Sequence, residues 1–148
     1  MSLKEQIRSD MKVALKAGEK ERLSVIRMLL AAIQTREIED REELSDNTVL
    51  QVTEKLIKQR KDSAKQYADA GRADREAQEL AEAEILKAYM PEQLADSELE
   101  AMVVDVIEST GASGMQDMGK VMGILKEKAQ GRADMGALSA LVKNRLAG

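Results

Sequence analysis

Wound at about 100° per residue, the chain gathers its apolar side chains onto one arc after another, the pattern of successive amphipathic helices. Ser2-Leu3-Lys4-Glu5 reads as a capping box, and a first helix runs from it to about Ala17, where Gly18 ends it. A second helix, about 20–42, spreads Leu23, Val25, Ile26, Leu29, Leu30 and Ile33 over a wide arc, so a central position is expected. Arg22 and Arg36 project into that arc; either they snorkel from near the helix ends or they line a guanidinium pocket. Ser45 or Thr48 caps a third helix reaching about Ala70, with Gly71 ending it. Arg60 lies in its apolar arc and calls for a carboxylate from another helix, because a buried unpaired charge is costly. Lys58, Lys61 and Lys65 form a separate stripe, read as solvated surface or as a phosphate-contacting ridge.

A fourth helix, about 73–89, is rich in Ala and Glu and stops at Met90-Pro91, since the residue before a proline resists the helical conformation. A boundary within about 91–96 follows, separating an N-terminal subdomain, 1–92, from a C-terminal one, 93–148. There a fifth helix, about 97–110, starts from Asp96 or Ser97 and buries Leu99, Met102, Val103, Val106 and Ile107. After a turn at 110–114 comes the run Gly114 to Gly131, and then a last helix that Asp134 caps, with Leu138, Leu141, Val142 and Leu146 inward. The fold expected is all-α, with about four helices in the first subdomain and three in the second.

The run from Gly114 to Gly131 is the most informative. Met115, Met118, Val121, Met122, Leu125 and Ala129 share one arc, and beside it lies a strip of Gly119, Gly123, Lys126 and Gln130, with Lys120 and Gln116 just beyond. An interior glycine costs a helix about 1 kcal/mol relative to alanine. Two purposes would justify it: tight packing of another helix, or a bare-backbone platform that the flanking lysines turn towards a phosphate backbone.

Composition narrows the chemistry. The chain has no Cys, His, Phe or Trp and only two Tyr, so aliphatic residues and Met must fill the core. Disulfides, thiolate or imidazole metal sites, Cys–His pairs and Ser–His–Asp triads are excluded. No glycine-rich nucleotide cradle is readable, and the carboxylates alternate with lysines as on solvated faces. No catalytic, cofactor or metal site is expected. The net charge of −4 argues against a whole-surface nucleic-acid binder. It is unevenly spread: residues 91–114 hold six acids and no base, whereas 115–148 hold six bases against three acids. No charged-then-apolar leader opens the chain and no run nears about 18 apolar residues, so a cytoplasmic protein without membrane contact is expected.

DMGKVMGILKEKAQGRAD followed by ALVKNRL resembles the C-terminal signature of the GatB/YqeY family. Segments 21–39, 55–74 and 85–94 resemble the N-terminal segments of its short, stand-alone YqeY-like members. One departure is Ala95, where family members usually carry a Ser or Thr cap. The C-terminal segment is similar to the tail domain of the B subunit of the glutamine-dependent aminoacyl-tRNA amidotransferase, a carbon–nitrogen ligase with glutamine as amido donor.

In that enzyme catalysis belongs to other modules, and the resemblance implies a tRNA-contacting appendage. The positions it carries over are Gly119, Lys120, Gly123, Gly131, Arg132, Asp134, Val142 and Lys143. The expected RNA-binding set is Gly119, Lys120, Gly123, Lys126, Arg132, Lys143 and Arg145, with Lys58, Lys61 and Lys65 as a secondary stripe and Asp134 a helix cap. The function expected is an RNA-associated, tRNA-binding accessory protein, with tRNA or a translation-related protein as partner and no DNA. Alternatives are a helical protein–protein adaptor without RNA binding, and an amidotransferase-like activity that needs a partner.

Overall fold

A computed structural model of the chain describes residues 1–147. Among them the regular elements are all helical, and they fall into two compact units, Met1–Met90 and the chain from Pro91 onward.

The first unit holds α1 (Leu3–Ala17), α2 (Lys20–Asp40), α3 (Asp46–Asp69) and α4 (Ala73–Lys87). At the start of α1 the capping box forms as the sequence predicts: Ser2 Oγ accepts from the Glu5 amide at 3.2 Å, and Glu5 Oε2 accepts from the Ser2 amide at 3.0 Å. Gly18, with φ 71°, closes the helix in the left-handed conformation that favours glycine. α3 and α4 form an antiparallel hairpin, and α2 packs against α1, α3 and α4, which is why its apolar arc is the widest. Ile7, Val25, Ile26, Leu29, Ile33, Val49 and Leu86 are the fully buried centre.

The charges at the edges of that core find partners. Arg60 Nε stands 3.1 Å from Glu82 Oε2 and 3.7 Å from Glu79 Oε2, both on α4, and its guanidinium also meets the Met28 sulfur. Arg22 and Arg36 take the snorkelling option. They reach the surface beside Glu19 and Asp40, at 3.9 and 2.8 Å. Tyr89, buried just beyond α4, donates to Asp10 Oδ2 at 2.7 Å and so ties that end of the unit to α1. Burial, then the carboxylate of Asp10, pushes its phenol well above the usual range.

Glu37 is the hub of the α2–α3 connection. Lys4 Nζ donates to its two oxygens at 2.9 and 2.8 Å, and the Leu44 amide donates at 3.1 Å, so one carboxylate binds α1, α2 and the loop before α3.

In the second unit α5 (Asp96–Thr110) is followed by a single 3-10 turn (Met115–Asp117), α6 (Met118–Lys128) and α7 (Met135–Ala147). Its core is Val103, Val106, Val121, Leu125, Ala129, Leu138 and Val142. The cap of α5 stays at Ala95 and does not move to Asp96 or Ser97. Ala95 offers no side-chain acceptor, and only the returning half of the box forms, Glu98 Oε1 accepting from the Ala95 amide at 3.2 Å. Asp134 caps α7, its Oδ2 accepting from the Ala137 amide at 3.1 Å.

Glu37 yields a pH-dependent expectation. The hydrogen bonds from Lys4 hold its carboxyl below the ordinary 4.5, partial burial opposes them, and the Leu44 amide adds to them. A depressed folded-state value means stabilisation complete above the ordinary pKa and lost as pH falls through the lower one. Glu37→Gln should therefore destabilise by about 1 kcal/mol at neutral pH. In thermal melts the gap between variant and parent should narrow progressively as pH falls below 4.5.

Candidate nucleic-acid interface

α6 is built to be buried on one side only. Val121, Leu125 and Ala129 are fully buried, Met118 and Met122 half-buried at the edge, and Met115 in the preceding turn is 42% exposed. Rotating onwards by about 100° per residue brings Lys126, Gly119, Gly123, Glu127 and Lys120 in turn, all exposed. A Cβ placed on Gly119 or Gly123 would meet nothing within 4 Å. No helix of the second unit uses the space that these glycines leave. Packing inside that unit is thus not their purpose, and the bare strip faces outward between two lysines.

Neither Lys120 nor Lys126 makes an ion pair among the described residues, so both are free to meet an outside anion. Lys143 is exposed on α7, off the Leu138–Val142–Leu146 stripe. The other candidates are placed differently. Arg145 lines a groove between α5 and α7 together with Glu100. Lys58, Lys61 and Lys65 belong to the other unit, exposed on α3, where Lys61 acts electrostatically on Glu84.

Arg132 has a structural task that no periodicity announces. Its Nε donates to the Glu92 carbonyl at 3.0 Å, and its own carbonyl accepts from the Leu94 amide at 2.8 Å. Gln93 Nε2 donates to the Gly131 carbonyl at 2.8 Å. The α6–α7 turn is thereby clasped to the segment before α5, and Gly131 serves it with φ 72°. A glycine after a helix signals the turn, but nothing local in the sequence points to its partners some 40 residues earlier. The methionine edge beside the glycines, Met115, Met118 and Met122, lies on the apolar arc that the sequence predicts and is left partly exposed there.

A family model described as "Yqey-like protein" matches residues 4–146. Among curated relatives, a Saccharomyces cerevisiae protein named "Altered inheritance of mitochondria protein 41, mitochondrial" is 28% identical over 129 residues, covering 83% of this chain and 70% of its own. Its namesake in Eremothecium gossypii is 33% identical over 85 residues, covering 57% and 46%.

The open space at the glycines makes a sharp expectation for stability. Gly123→Ala, mid-helix, should stabilise the protein by about 1 kcal/mol, and Gly119→Ala, in the first turn, by less. Gly131→Ala should instead destabilise by about 1–2 kcal/mol, because alanine resists its left-handed conformation. Melting curves of the three variants would check both signs.

Proposed function

The chain belongs to the Yqey-like family, and on that premise we propose that it is an RNA-associated accessory protein whose second unit binds tRNA. Its link would be to glutamine-dependent aminoacyl-tRNA amidotransferase metabolism, through the resemblance of its C-terminal segment to the tail of that enzyme's B subunit. The observation that carries the reading is the outward-facing backbone of α6 at Gly119 and Gly123, bordered by the unpaired Lys120 and Lys126. A phosphate backbone can approach a helix closely where no side chain intervenes, and ammonium groups on either side would hold it. Lys143 is a further exposed cation of the same unit.

Such a surface would follow the shape and charge of RNA rather than read its bases. The two tyrosines, Tyr67 and Tyr89, are half-buried and buried, and so offer no open stacking platform. With about three phosphates neutralised, affinity would be modest and would fall steeply with salt. Catalysis, in this reading, belongs to whatever partner the protein serves. We place the protein in the cytoplasm; the names of the fungal relatives mark the mitochondrion as the compartment that a localisation experiment must distinguish from it.

The methionine edge supports a second reading, a helical protein–protein adaptor. Flexible thioether side chains beside bare backbone also suit the approach of a partner helix.

An electrophoretic mobility shift against bulk tRNA at low and near-physiological salt separates the two. The RNA reading expects binding that weakens with salt. Lys120→Glu and Lys143→Glu should each reduce it about threefold to tenfold while leaving the melting temperature nearly unchanged. Full binding by both variants would remove these residues from the interface, and no binding at low salt would leave the adaptor reading.

A further inference from the structure

The second unit carries a groove, apart from the α6 face on which the RNA reading rests. Between α5 and α7 a groove of about 300 Å³ is lined by Glu100, Val103, Leu141, Asn144 and Arg145. Its floor is apolar: Val103 is fully buried and Leu141 half-buried. Its rims carry opposite charges, Glu100 from α5 and Arg145 from α7. Among the described residues neither makes a hydrogen bond or an ion pair, with the other or with anything else. A carboxylate and a guanidinium therefore border one groove without forming an ion pair with each other, over an apolar floor and beside a carboxamide.

That arrangement selects by charge. A simple anion would be attracted by Arg145 and repelled by Glu100, and a simple cation the reverse. An uncharged apolar molecule would cover the floor and leave both charges unanswered. A ligand with an ammonium and a carboxylate on one end and an apolar group on the other matches every feature. We propose that this groove is a binding site for a free α-amino acid with an aliphatic side chain.

The ammonium meets the Glu100 carboxylate, and the carboxylate meets the Arg145 fork, a pairing geometry that guanidinium favours. The aliphatic side chain rests on Val103 and Leu141, and the Asn144 amide offers a donor and an acceptor to the polar end. The volume lies at the lower end of the roughly 300–1,000 Å³ of small-molecule sites, in keeping with a ligand of this size. Both charged residues are exposed, so the binding is weak, with a dissociation constant of about 1 mM. Gly119, Lys120, Gly123, Lys126 and Lys143, which carry the RNA reading, do not line the groove; Arg145 is the one member of the expected RNA-binding set that does.

The test titrates the full chain with three probes while following the methyl resonances of Val103 and Leu141. These are L-leucine, its decarboxylated counterpart isopentylamine, and its deaminated counterpart 4-methylpentanoate. Leucine is expected to shift both residues saturably, and each singly charged analogue to bind about tenfold more weakly, the loss of one charged contact. Glu100→Gln should weaken leucine but not 4-methylpentanoate, and Arg145→Gln should weaken leucine but not isopentylamine. Both replacements sit on the surface, and unchanged spectra elsewhere will report intact folding. Equal shifts from all three probes would reduce the groove to an unselective apolar patch and overturn the proposal. So would the absence of saturable shifts at about 10 mM leucine. Equal binding of N-acetyl-leucinamide, which lacks both charges, would point to a peptide occupant and would also overturn it.

Discussion

The clasp between the α6–α7 turn and the segment before α5 is the constraint on which the second unit depends. Three hydrogen bonds join Glu92, Gln93 and Leu94 to Gly131 and Arg132, closing a loop that contains α5 and α6. The helices inside it are short, and short helices owe their stability mostly to tertiary packing. With the ends of the loop held, Val103, Val106, Val121, Leu125, Leu138 and Val142 can form one core. One side of α6 is then committed inward, and its glycines and lysines are left facing out. The exposed face is thus a consequence of how the turn is anchored.

The core chemistry explains why so much depends on polar hubs. Without Phe or Trp, the interior relies on branched aliphatics and methionine, which bury less area per residue than aromatics do. In the first unit, Glu37 gathers α1, α2 and the following loop, Arg60 bridges α3 to two carboxylates of α4, and Tyr89 reaches Asp10. Each spans elements far apart in sequence and is partly shielded from water. An ion pair so placed is felt more strongly than one on the open surface.

The second unit offers two surfaces of different character. The face of α6 is bare at Gly119 and Gly123 and bears Lys120, Lys126 and Glu127, suited to a long polyanion that many weak contacts can hold. The α5–α7 groove is concave and bears both signs of charge, suited to a small dipolar molecule. Arg145 and Lys143 lie two residues apart on one short helix, yet the helical rotation sends them to different surroundings.

Much of the architecture was legible in the sequence because it is encoded locally. Helical periodicity, the Ser2 box, Gly18 and the Asp134 cap are decided by neighbours within a turn or two, and each stands where the pattern puts it. So does the need of Arg60 for carboxylates, since burial of a charge on an apolar arc demands them. Tertiary structure decided the rest. Whether Gly119 and Gly123 admit a helix of the same chain or stay open depends on what lies across from them. The duty of Arg132, the hub at Glu37 and the meeting of Glu100 and Arg145 on one groove all bring together residues distant in sequence. Local pattern states which faces must be covered, and only the packed chain states by what.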